Sequence, residues 1–163
     1  MSPKNDKRAA LRRHRRLLAG AVLVAGAVLV AGLGVALPAW TADFGRQNYI
    51  QHCAGCHGMD GSGSPENGVP NMKGAVGHFL RLPEGRAFLI QVPGTSQALL
   101  KDAEIAELLN WMVAHFSKDE IPPAFTPYTK DEVATFRTAK LNDVMGTRRE
   151  VLRKLRDMGI TIN

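Results

Sequence analysis

Cysteine is nearly missing from this 163-residue chain: there are two, Cys53 and Cys56. A disulfide between residues three apart would be strained and would close too small a loop to stabilise much. With no second pair, a zinc site would need His52 and His78 to supply the remaining ligands. Excess charge is also missing beyond the first 16 residues. Of 21 Lys/Arg and 15 Asp/Glu, seven basic residues and one acid, Asp6, lie in that stretch, and the remainder balances. The net +6 therefore belongs to the N-terminus, and no nucleic-acid-binding surface follows from it. Internal repeats and the apolar–polar alternation of strands are absent too, which leaves an all-α reading. The length allows one compact domain with extensions, not two full domains.

Charge is lacking altogether between Leu17 and Trp40, in "LLAGAVLVAGAVLVAGLGVALPAW". A basic flank followed by an apolar run marks export, with the basic end kept in the cytoplasm. The run is longer than a signal core of roughly 7–15 residues and suffices for a span of about 20. Gly34-Val35-Ala36 offers a small-x-small cleavage pattern, while Gly20, Gly26, Gly32 and Gly34 would loosen a helix. Residues 1–42 thus read as a signal peptide or an N-terminal membrane anchor. The rest of the chain is expected in the periplasm, on the oxidising side of the membrane.

Within the exported part, "ADFGRQNYIQH" (42–52) predicts a short helix with Phe44, Tyr49 and Ile50 apolar. From Gly58 to Gly77 the chain is rich in Gly, Pro, Ser and Asn. So long an irregular stretch inside a compact domain calls for an organiser such as a large buried cofactor. Pro83 opens a short helix over 82–92, and 92–100 reads as a loop. "KDAEIAELLNWMVAHF" (101–116) carries Ile105, Leu108, Leu109, Met112 and Phe116 at helical spacing. A Pro-rich joint, "IPPAFTPY", precedes two further helices, opened by Thr129 or Asp131 and by Asn142 or Asp143. The last has an apolar stripe of Val144, Met145, Val151, Leu152, Leu155 and Met158. We expect 118–163 to be a helical C-terminal extension, too small to stand alone, that wraps its own domain or docks on a partner.

The two cysteines fall in "CAGCH", with His57 following directly. A thioredoxin-like redox pair would want a βαβ context, and no strands are visible. Cys-x-x-Cys-His instead matches covalent haem attachment: two thioethers fix one edge of the ring and the next residue offers an imidazole to the iron.

At these residues the chain resembles the class I c-type cytochromes. Gly45, Tyr49 and Cys53 are similar to that family's Gly-x3-aromatic-x3-Cys helix, and "VPNMKGAVG" (69–77) to its G-P-N-L-x-G segment. The resemblance covers about 43–117 and implies a class I cytochrome c fold, three to four helices around one covalent haem c. It implies thioethers at Cys53 and Cys56, proximal ligation by His57, and a Pro70 carbonyl that fixes the His57 ring. Where the family places a distal methionine, this chain reads Pro93-Gly94-Thr95-Ser96-Gln97. Gln97 takes the position on one match and Val92 on another, and no methionine occurs between residues 73 and 111. Met72 falls where the family packs a leucine, Met112 on an apolar helical stripe, and His78 where a haem propionate or solvent is expected. The distal iron ligand is therefore left open, with an iron five-coordinate or weakly capped.

The function so implied is transfer of single electrons between a redox partner, a dehydrogenase or oxidase, and the respiratory chain. The protein would act alone or as a haem subunit, as a carrier and not an enzyme. The alternative is binding or sensing of small ligands at the open iron.

Overall fold

The computed structural model describes residues 40–162; the 1–39 segment, and with it the expected signal or anchor run, lies outside the described residues. Among the described residues no helix is long and apolar enough to cross a membrane. The structure there is helical, with no strand beyond an isolated bridge between Ser64 and Val69. In chain order the helices are α1 (Trp40–His52), α2 (Ala54–His57), α3 (Val76–Phe79), α4 (Pro83–Gln91), α5 (Pro93–Ser96), α6 (Asp102–Phe116), α7 (Lys130–Arg137) and α8 (Val144–Asp157).

The frame is the crossing of α1 on α6. Helix α6 starts where the Glu104 carboxylate accepts the Lys101 N–H at 2.6 Å. It buries Ile105, Leu109 and Val113 completely, at four-residue spacing. Where α1 meets it there is no room for a side chain: a Cβ on Gly45 would overlap Cβ of Trp111. One turn on, the Tyr49 ring lies 5.4 Å from Trp111 and 4.9 Å from Phe116, a spacing that favours tilted aromatic pairs. Phe44 and Ile50, expected on the apolar face, are exposed, because the buried face is set by Gly45 and Tyr49.

The irregular stretch after His57 is held by its own hydrogen bonds, in addition to anything it encloses. The Gly63 N–H donates to His57 O and the Met72 N–H to Gly61 O, both at 2.8 Å. The Gly74 N–H reaches Phe116 O at 2.8 Å, tying the far end of the loop to α6. The Tyr49 hydroxyl donates to Gly58 O at 2.6 Å.

The C-terminal extension packs on the same body, and residues 40–163 form one unit with no boundary near 118. Helix α7 lies on α6 and α4, and α8 on α3 and α4. Arg86 of α4 makes a two-pronged ion pair with Glu132 of α7, at 2.5 and 2.7 Å. The Arg86 guanidinium also sits 4.0 Å from the Tyr128 ring centre, whose hydroxyl returns a bond to Arg86 O. Asn110 of α6 closes a reciprocal pair with the Tyr128 backbone, at 2.7 and 3.0 Å. Arg137 gathers the carbonyls of Ser96, Ala98 and Leu100, together with the Asp102 carboxylate. The stripe of α8 is finished by Val151 and Leu155, both fully buried. The loop expected at 92–100 contains the helical turn α5, and Thr129 and Asp143 are the caps of α7 and α8.

Candidate functional site

A largely apolar cleft of about 290 Å³ opens beside the two cysteines. Cys53, Cys56 and His57 line it on one side, with Pro70, Asn71 and Met72 from the irregular loop. Cys53 is half-buried and Cys56 exposed. Burial, and then the neighbouring Cys56, push the Cys53 thiol up to about 11. A dithiol redox pair needs the opposite shift, toward thiolate. Among the described residues, no three His, Cys, Asp or Glu side chains gather as a metal site.

His57 is the oriented group. Its Nδ1 lies 3.2 Å from the Pro70 carbonyl, the contact that the resemblance calls for. A carbonyl only accepts, so the proton sits on Nδ1 and Nε2 keeps its lone pair. Burial lowers the His57 pKa, partly offset by the Pro70 bond, which favours the neutral imidazole that metals bind. The loop geometry depends on Gly63, at φ 69°, where a Cβ would stand 2.5 Å from the same Pro70 oxygen.

Other expected positions fall differently. Met72 lines the cleft and is only 5% exposed, two residues beyond Pro70 in the chain. His78 does not line it: α3 turns Val76 and Phe79 toward the cleft, and His78 lies off that face near Arg81 and Glu120. It is half-buried with Nδ1 unpartnered. Gln97 is exposed and outside the cleft, because the turn of α5 presents Gly94 and Thr95 instead. Val92 does reach the lining. Met59 is exposed away from the cleft, and His115 stacks on Trp111 at the surface.

Three residues of the extension were not anticipated at the site: Val144, Met145 and Arg148, all on the first turns of α8. Met145 and Arg148 are three apart on one face, a helical spacing present in the sequence but far from the cysteine motif. Burial lowers the Arg148 pKa, and among the described residues no carboxylate pairs with it.

These features suit a covalently held haem. Two thiols stand at the rim, one imidazole has a fixed tautomer, Val76, Phe79, Phe88 and Leu89 line an apolar interior, and an unpaired guanidinium could meet a propionate.

No protein-family model matches the chain. It is similar to cytochrome c-552 of Thermus thermophilus, 32% identical over 134 residues, covering 71% of this chain and 97% of that relative. A second cytochrome c-552, from a named strain of the same species, matches at 32% identity with 86% of its length covered. On that similarity, joined to the Cys53-x-x-Cys56-His57 rim of the cleft, the chain belongs to the c-type cytochromes, a membership that implies covalent haem c and electron transfer.

Proposed function

We propose that the protein is a periplasmic mono-haem cytochrome passing single electrons between an oxidoreductase, a dehydrogenase or oxidase, and the respiratory chain, alone or as a haem subunit. Cys53 and Cys56 would carry the thioethers and His57 Nε2 the iron. When bound, the haem supplies a one-electron ferric–ferrous couple. The Pro70 carbonyl holds the His57 ring in one tautomer and orientation. The apolar lining excludes water, and Arg148 would neutralise a propionate that would otherwise be buried unpaired. Export is supported by the basic flank and the uncharged run ahead of residue 40. The balanced charge beyond residue 16 suits docking through a mixed or apolar surface around the rim, with little electrostatic steering.

The observation that carries this reading is the His57–Pro70 contact beside Cys53 and Cys56 at an apolar cleft. Expression in a cell that exports and attaches haem tests it. The expected result is a haem-bearing protein in the periplasmic or membrane fraction, with a reversible one-electron wave in voltammetry. A cytoplasmic product, or one with no such wave, would overturn it.

A further inference from the structure

We infer that Met145, on the first turn of α8, supplies the sulfur ligand on the face of the haem opposite His57. The inference rests on the haem reading above and names the residue that completes its iron. One side of the cleft already has a donor, His57, with its ring fixed by Pro70. A six-coordinate c-type iron takes its second donor from the other side, commonly a thioether or an imidazole.

Among the described residues three methionines line the cleft: Met72, Met112 and Met145. Met72 belongs to the wall that buttresses His57. It lies two residues beyond Pro70, its N–H is bonded to Gly61 O, and its side chain is buried. Met112 is committed to the core, buried in the middle of α6 with Leu108, Leu109 and Phe116. Met145 has neither commitment. It is 47% exposed, yet it lines the cleft, and it takes no part in the hydrophobic core. A methionine side chain has three rotatable bonds and a soft, polarizable sulfur, which suits it to adapt to a metal.

The helix that carries it is well fixed. The Asp143 carboxylate caps it, accepting the Gly146 N–H at 2.7 Å. Val151 and Leu155 bury its stripe, and Lys154 pairs with Glu84 of α4 at 2.5 Å. Its packing partners are α3 and α4, which give the cleft Val76, Phe79, Phe88 and Leu89. Met145 is thus brought to the cleft by the extension, while His57 belongs to the 53–72 stretch. The stretch from 73 to 111 holds no methionine, so Met112 is the one other sulfur that the chain between Met72 and α8 brings to the cleft.

The test uses the holoprotein and its Met145→Leu, Met72→Leu and Met112→Leu variants. Covalent haem is first checked in each by intact mass under denaturing conditions. The oxidised wild type is then expected to show a near-infrared sulfur-to-iron charge-transfer band. Met145→Leu should lose that band and bind carbon monoxide rapidly when reduced, while the other two variants keep the band. Met145→His should replace it with a bis-imidazole low-spin spectrum. A band that survives in Met145→Leu, or is missing from a wild type carrying covalent haem, overturns the assignment and leaves the haem reading standing. A wild type without covalent haem overturns both.

Discussion

The two walls of the cleft are built in opposite ways. The wall carrying His57 is local: Cys53, Cys56, His57, Gly63, Pro70 and Met72 fall within 20 residues and are tied by short-range bonds. The other part of the lining is assembled from afar, with Val92, Gly94 and Thr95 from one segment and Val144, Met145 and Arg148 from a helix some 50 residues later. A local wall can be read from spacing, because the chemistry fixes the offsets. An assembled wall cannot, because its members meet only after α7 and α8 have docked.

The contrast between the walls is probed most severely on the local one. Replacing Cys53 and Cys56 together by Ala should abolish covalent haem, read as loss of haem staining on a denaturing gel. Substitutions confined to the far wall should leave that staining intact. Gly63→Ala forces a Cβ into a left-handed backbone and against the Pro70 oxygen. It should cost about 2–3 kcal/mol in denaturant unfolding and also loosen the His57 orientation.

The extension is the next test. Glu132→Ala removes both prongs of the Arg86 pair, whose side chains are only 17% and 21% exposed. A loss of about 2 kcal/mol is expected, reduced from the fully buried case because water still reaches the pair. If the extension were a separate appendage, the main unfolding transition would not move.

The smallest change should come from the exposed Asp60–Lys73 pair, at 3.1 Å. The Lys73 ammonium, and then Ser62, hold the Asp60 carboxyl down at about 2. Its folded pKa lies below the unfolded one, so its contribution is present above pH ~4 and fades as pH falls through about 2. Asp60→Asn should flatten that acid limb slightly and change little at neutral pH, as a pH series of melting temperatures would record.

Legibility in the sequence followed the same divide. The Cys-x-x-Cys-His spacing and the α6 stripe are local patterns, Gly45 with Tyr49 comes from the family resemblance, and the helices lie within a residue or two of where the pattern places them. His78 and Gln97 are not among the residues lining the cleft, and their expected roles rested on matched position. Which way a short turn such as α3 or α5 points its side chains is decided by packing. Met145 sat unremarked in an apolar stripe. Val151 and Leu155 are the buried residues of α8, Val144 and Leu152 pack against the core beside them, and Met145 lines the cleft instead.

The central claim, that Cys53 and Cys56 anchor a haem beneath which His57 lies, is tested most directly by the mass of the proteolytic peptide spanning Tyr49–Gly61 from the exported protein. The account predicts that this peptide carries one haem through denaturation and extraction. An unmodified peptide, with two free thiols or a Cys53–Cys56 disulfide, would contradict it.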